Sequence, residues 1–146
     1  MGIGDANLAG LVHGGTVMKA CDEVAAIAAL RHCGLRVVTA GVDRMTFVSP
    51  VNVGELLACS ATVNAAWHTS MEVGVRVEAE NPGTGERRHT STAYVTMVAL
   101  DDEGKPSPVP PLVAESDAEQ RRQREAEVRR RNRLTERDEI LRERGD

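Results

Sequence analysis

Hydrophobic positions along the chain follow a helical period first and a strand period afterwards. From 14 to 32, small apolar residues recur at helical spacing and Gly34 follows as a stop signal, so this stretch predicts one long helix. Between 70 and 80, apolar and polar residues alternate strictly, which is typical of a half-buried strand. The apolar face of that strand consists of Met71, Val73, Val75, Val77 and Ala79.

Three further stretches are predicted as strands: the first is rich in Val and Thr, the second alternates in polarity, and the third follows a hairpin turn. They cover 36–48, 56–67 and 87–100. One helix followed by about four long strands in consecutive hairpins predicts an α+β domain whose antiparallel sheet runs as a meander. The lead from 1 to 13 is predicted as an ordered loop or a short edge strand.

The C-terminal part of the chain changes composition. Residues 106–111 include four prolines and are predicted as a linker, whereas 115–146 hold ten acidic residues and ten arginines with few apolar positions. Pairs such as Glu125 and Arg129 have the i,i+4 spacing of a helix that is solvated along its length. We therefore expect a domain at 1–113 and a charged helical tail at 114–146. The interleaved acidic residues and missing aromatics argue against a nucleic-acid partner.

Composition narrows the class of protein further. Aromatic residues make up only 2% of the chain, so the core must be built from small aliphatic side chains, and the net charge of −4 argues against a general polyanion binder. The three cysteines lack paired or metal-ligand spacing, so they are predicted to be reduced and no metal is expected. The start lacks a secretory signal and no apolar run could span a membrane, which makes a cytoplasmic location the expectation.

The predicted helix carries a carboxylate, Asp22, within a run of alanines. A pair with Lys19 or an interaction with the helix dipole would explain it without a function, but the dipole effect fades after the first turn and Asp22 lies about two turns in. A carboxylate on a mostly apolar helix is a candidate general base. The backbone N–H groups of Gly14 and Gly15, at the helix start, could polarise a carbonyl oxygen. Together these residues predict attack of water on an activated acyl group.

Several ordered segments of the chain resemble one known family, the acyl-CoA hydrolase branch of the hotdog-fold thioesterases. The segments are DANLAGLVHGGTVMKACDEVAAIAALRHC, VVTAGVDRMTFVSPVNVGE, TSMEVGVRVEAENPGTGERR and VPPLV, and they cover about residues 5–115. The likeness is strongest to the brain-type cytosolic acyl-CoA hydrolases and their YciA-like bacterial relatives. The resemblance implies a long helix wrapped by an antiparallel sheet. It also implies dimers joined edge to edge and hexamers made of three dimers.

The resemblance also implies roles for particular residues. In that family an Asn of the N-terminal lead and an acidic residue of the central helix come from opposite subunits, and the matching positions here are Asn7 and Asp22. Asp22 would activate water or attack as a nucleophile, and Asn7 would orient the water or the thioester. The N–H groups of Gly14 and Gly15 would polarise the thioester carbonyl, and His13 would form a wall of the site.

The phosphates of an acyl-CoA substrate require polar or basic ligands near strand ends. The candidates for these contacts are Thr69, Ser70, Arg87 and Arg88. No cofactor is expected, since CoA is part of the substrate.

Two other functions compete with hydrolysis. A hotdog hydratase acting on an enoyl thioester usually carries a close Asp and His pair on a turn before the helix, and the lead from Asp5 to His13 does not form such a motif. A non-catalytic acyl-CoA-binding protein is the other alternative, and the presence of both Asn7 and Asp22 argues against it.

Overall fold

The structure is a computed structural model that describes all residues from 1 to 146. A 3-10 helix at Ile3–Asp5 precedes helix α1 at Gly14–Cys33, which ends on Gly34 in the left-handed conformation with φ of 71°. The strands are β1 (Arg36–Val42), β2 (Thr46–Phe47), β3 (Leu56–Ala66), β4 (Ser70–Glu80) and β5 (Arg87–Leu100), and helix α2 (Asp117–Arg144) follows them. The predicted long helix and the strands at 56–67, 70–80 and 87–100 are confirmed within one residue.

All five strands belong to one antiparallel sheet with the order β1-β5-β4-β3, and β2 pairs with β5. The predicted meander is confirmed for β3, β4 and β5 but is wrong for β1, which pairs with β5 rather than with its neighbour in sequence. The single strand predicted at 36–48 is also wrong, because pairing stops after Val42 and resumes only at Thr46. As a result β1 forms one edge of the sheet.

Helix α1 packs on the inner face of the sheet through a stripe of small side chains. Val17, Cys21, Ala25 and Ala29 recur every four residues along one side of the helix and are at most 2% exposed. The small alanine side chains let the helix approach the sheet closely. The opposing side chains come from β4 and β5 and are Met71, Val73, Val75, Val77, Ala79, Ala93, Val95, Met97 and Ala99.

Helix α2 lies across the outer face of the sheet, so the prediction of a helix solvated along its length is wrong for its first half. Ala126 is fully buried there. Charged side chains provide the other contacts, which are Glu127 with Trp67 (2.6 Å), Arg129 with Glu72 (2.5 Å) and Arg133 with Asp43 (2.8 Å). Hydrophobic periodicity cannot predict such contacts, because they are made by charged side chains. Residues 134–146 are exposed throughout, and the division of the chain at 113 stays a prediction.

The proline-rich segment before α2 is hydrogen-bonded to the domain rather than free. Ser107 N–H donates to the Ala99 carbonyl at 2.9 Å and Val109 N–H donates to the His68 carbonyl at 3.0 Å. The ring of His32, near the end of α1, lies 2.9 Å from the Pro110 carbonyl. Neither helix of the chain combines the length and the apolar character that crossing a membrane requires.

Candidate active site

Asp22 lies half-buried on α1, facing the edge strand β1. The Thr39 hydroxyl of β1 donates a hydrogen bond to Asp22 Oδ1 and lies 3.6 Å from Met97 Sδ. The pairing of β1 with β5 shifts register between Thr39 and Gly41, a bulge of the kind that often adjoins active sites. Asp22 makes no ion pair with Lys19, so the explanation by a helix surface pair fails. We call Asp22 and Thr39 the acid half-site.

The sequence interpretation missed Thr39. Its hydrogen bond joins residues that are 17 positions apart, and no local pattern reports such a contact. The sequence nevertheless contains a signal for Thr39. It is a polar residue in an apolar strand, two positions after Val37, and therefore on the same inward face as Val37.

The start of α1 offers two unpaired backbone N–H groups. The His13 carbonyl accepts from the N–H groups of Thr16 and Val17, whereas those of Gly14 and Gly15 donate to no group of the chain. A side chain on Gly15 would meet nothing within 4 Å, and one on Gly14 would meet only the Phe47 ring at 3.5 Å. Two adjacent N–H groups in open space at a helix start can stabilise an oxyanion.

Asn7 organises the lead that precedes this helix start. Its side-chain Oδ1 accepts from the N–H groups of Ala9 (2.9 Å) and Leu11 (3.1 Å), which leaves its Nδ2 free to donate. The lead adjoins the helix start because His13 N–H donates to the Asp5 carbonyl at 2.8 Å, and the His13 side chain is exposed. We call Asn7, His13, Gly14 and Gly15 the lead half-site.

The two half-sites of one chain are too far apart to act on one carbonyl group. Gly14 and Asp22 are separated by about 12 Å along the helix axis, at 1.5 Å per residue. An oxyanion donor and a general base must each lie within about 3 Å of the atoms they contact. No hydrogen bond joins Asn7 to Asp22 within the chain. Within one chain, the two half-sites are therefore separate.

Arg88 holds a loop of the chain, and its side chain stays 39% exposed. Its guanidinium donates to both carboxylate oxygens of Glu55 (2.8 and 2.9 Å), to Ser49 Oγ (2.7 Å) and to the Pro50 carbonyl (2.6 Å). The same loop contacts the lead, because Val12 N–H donates to the Val51 carbonyl at 2.9 Å. The hydrogen bond from Arg88 holds the pKa of Glu55 down at about 2. These contacts connect Arg88 to the lead half-site through the loop.

We expect Arg88→Met to lower the melting temperature more at pH 6 than at pH 3. Glu55 has a pKa of about 2 in the folded chain against an ordinary value of 4.5, so its contribution is complete above pH 4.5 and is lost as pH falls toward 2. The measurement is a thermal melt of parent and variant across this range, with Arg87→Met as the matched control. A pH-independent difference would contradict the assignment. Unchanged stability with a raised KM for acyl-CoA would instead support phosphate binding by Arg88.

The other predicted phosphate ligands do not form one cluster within the chain. Thr69 and Ser70 lie where β4 begins, whereas Arg87 pairs with Glu80, where β4 ends. The two positions are about 33 Å apart at 3.3 Å per residue. Arg87 also forms a 2.8 Å ion pair with Glu80 and has a side chain that is about half exposed. A single chain therefore cannot offer all of these residues to one CoA molecule.

The cysteines are poor candidates for the catalytic role. All three cysteines are free, and burial, together with the neighbouring Cys59, raises the pKa of the Cys21 thiol to about 11. Cys21 is therefore protonated near neutral pH. No three His, Cys, Asp or Glu side chains lie close enough together to hold a metal ion.

A long helix held against the inner face of an antiparallel sheet is the hotdog arrangement, and comparisons with known proteins agree with it. A family model described as the thioesterase superfamily matches residues 9–86, which is more than half of the chain. The chain therefore belongs to the thioesterase superfamily. The cytosolic acyl coenzyme A thioester hydrolase of Mus musculus is 40% identical over 131 residues. That match covers 88% of this chain, which spans about a third (34%) of the length of that relative.

Solved structures share both the fold and much of the sequence. A hexameric acyl-CoA thioesterase in its apo form is 41% identical with a TM-score of 0.86, over 91% of this chain and 85% of that chain. The acyl-CoA hydrolase of Staphylococcus aureus, solved with butyryl-CoA, CoA and CoA disulfide, is 35% identical with a TM-score of 0.86. That match covers 100% of this chain and 91% of the other.

The Staphylococcus aureus hydrolase has also been solved as three single alanine variants, of an Asn, an Asp and a Thr. In that chain the Asp lies fifteen residues after the Asn and seventeen before the Thr.

Proposed function

We propose that the protein is an acyl-CoA hydrolase whose active site forms between two chains. The observation that carries this proposal is the separation of the two half-sites, each of which holds what the other lacks. The acid half-site offers a carboxylate and no backbone oxyanion donor, and the lead half-site offers two free N–H groups and no carboxylate. Two chains related by a two-fold axis would build two complete sites.

Sequence spacing in the Staphylococcus aureus hydrolase supports the choice of residues. In this chain Asp22 lies fifteen residues after Asn7 and seventeen before Thr39, which is the spacing of the three residues varied in that enzyme. Thr39 also contacts Asp22 directly in the structure. The coincidence supports Asn7 and Asp22 as catalytic residues and Thr39 as a positioning residue for Asp22.

The proposed reaction uses water as the attacking group. Asp22 takes a proton from water while the water oxygen bonds to the thioester carbon, and the carbonyl oxygen becomes an oxyanion held by Gly14 and Gly15 N–H groups. Asn7 of the other chain donates from Nδ2 to the water or the carbonyl. The C–S bond then breaks, the sulfur leaves as the CoA thiolate, and Asp22 returns the proton to it. Direct attack by Asp22 on the carbonyl is the alternative route.

The edge strand β1 is the proposed interface between the two chains. Its free side has an unpaired backbone, and an unpaired edge can add a strand from another chain. Apolar side chains are exposed beside it, with Val38 45%, Ile27 49% and Leu30 48% accessible. Hexameric relatives support a further assembly of three such dimers.

Other features of the proposal follow from the relatives. Butyryl-CoA and CoA in the Staphylococcus aureus structure support an acyl-CoA substrate, and the cytosolic relative supports a cytoplasmic location. The reaction needs no cofactor beyond the CoA of the substrate. Arg87, Thr69 and Ser70 stay candidates for the phosphates of CoA, on different chains.

Purified protein with a panel of acyl-CoAs and a thiol-reactive dye tests the function. We expect thiol release that depends on protein concentration. Loss of the enoyl absorbance without thiol release would identify a hydratase, and ligand binding without either signal would identify a binding protein; both outcomes contradict the proposal.

A further inference from the structure

Helix α2 crosses the strands in the order in which the sheet arranges them. Its Glu127 contacts Trp67 at the end of β3, and its Arg129 contacts Glu72 of β4 and lies 3.6 Å from the ring centre of Tyr94 on β5. Arg133 then reaches Asp43, the residue after β1. The last contact is a 3.8 Å ion pair between Glu136 and Arg44. The helix therefore leaves the sheet across the β1 edge.

The part of α2 beyond this edge has no cover within the chain. Residues 134–144, which we call the arm, are exposed throughout and extend about 16 Å at 1.5 Å per residue. The side of α2 that rests on the sheet continues along the arm, because Arg133, Glu136, Arg137, Ile140, Leu141 and Arg144 share one helical stripe. These six residues line a shallow hollow of about 300 Å³.

The arm exposes apolar surface on that stripe. Ile140 is 44% exposed and Leu141 is 37% exposed, in a helix that otherwise carries mostly charged residues. Because the same side of α2 lies on the sheet from Ala126 to Arg133, a continuation of the sheet past β1 would lie directly under the arm. A second copy of the chain paired through β1 would supply that continuation.

We infer that the arm lies on the outer face of a second copy of this chain joined at β1. Antiparallel pairing of two identical β1 strands sets the start of one strand beside the end of the other. Val38 lies near the start of β1, between the inward-facing Val37 and Thr39, and is 45% exposed, so Val38 of the second copy offers apolar surface to the arm. Two-fold symmetry repeats the contact, so each chain holds the other with its arm. The inference rests on the proposed association through β1.

The test compares two charge insertions on opposite sides of the arm. Ile140→Glu places a charge on the stripe that would face the second copy, whereas Thr135→Glu places the same charge on the far side of the same helical segment. The measurement is the mass distribution of the full-length protein during serial dilution. We expect Ile140→Glu to raise the dissociation constant of the dimer by at least about tenfold, which corresponds to about 1.4 kcal/mol, because it places a charge in an apolar contact. Thr135→Glu should match the parent.

Other outcomes separate this inference from the proposed function. A dissociation constant of Ile140→Glu equal to that of the parent would overturn the role of the arm. An unchanged dissociation constant after removal of residues 134–146 would overturn it as well. Thiol release from acyl-CoA by the parent protein would leave the proposed function intact in both cases. A parent that is monomeric and still turns over acyl-CoA would overturn the shared active site, the association through β1 and the arm contact together, and would leave only the hydrolase activity.

Discussion

Asp22→Ala is expected to lower the rate of acyl-CoA hydrolysis at saturating substrate by at least about a hundredfold, as loss of a general base does. The KM should change little, since Asp22 contacts the water rather than the CoA. The measurement is thiol release at several acyl-CoA concentrations. Glu23→Ala is the matched control, because Glu23 is the exposed neighbour of Asp22 on the same helix. Unchanged turnover in Asp22→Ala would contradict its catalytic role.

Mixing two inactive variants tests whether the site is shared between chains. In a mixed dimer of Asn7→Ala and Asp22→Ala, one site would combine both substitutions and the other would combine intact Asn7 with intact Asp22. Random association should therefore restore about a quarter of the parent activity. Activity that stays at the level of the two separate variants would assign Asn7 and Asp22 to the same chain.

Thr39→Val should give an intermediate loss of hydrolysis rate, which Thr39→Ser should recover.

Elements that follow local rules were predictable from the sequence. The alternation at 70–80 identified the buried face of β4, and Gly34 marked the end of α1 because a left-handed residue is needed there. The pairing of β1 with β5 was not predictable in this way. Two strands separated by some 50 residues share no local signal, and the hairpin rule favours neighbours in sequence.

The candidate site likewise combines residues that local patterns predict with contacts between distant residues that they do not predict. Asp22 and the Gly14–Gly15 pair stood out because a carboxylate and adjacent glycines are unusual in an apolar helix. Thr39 and the engagement of Arg88 by Glu55 did not, since each depends on a contact between distant residues. The position of α2 is not predictable from the sequence for a related reason. Glu72 alternates as a polar residue of β4, and only the structure reveals that a helix covers it.

Arg129→Met is expected to destabilise the protein by about 3–5 kcal/mol, the usual effect of removing one partner from a buried ion pair. Glu72 is fully buried, and Arg129 donates to both of its oxygens. Without Arg129 the carboxylate keeps only the amide of Asn64 at 3.0 Å and the more distant Arg133 at 4.0 Å. Chemical denaturation measures the loss, and Arg130→Met, on the Trp67 ring, is the neighbouring control.

The double variant Glu72→Met/Arg129→Met separates an unpaired charge from lost packing. Because a buried ion pair can often be replaced by apolar side chains at little cost, we expect the double variant to recover most of the stability lost in Arg129→Met. The easiest response to the single substitution is release of α2, which would let Glu72 reach water. Amide exchange over 117–133 should therefore accelerate in Arg129→Met and return toward the parent rate in the double variant. Equal losses in both variants would mean that packing on Tyr94, rather than the charge pair, holds α2 on the sheet.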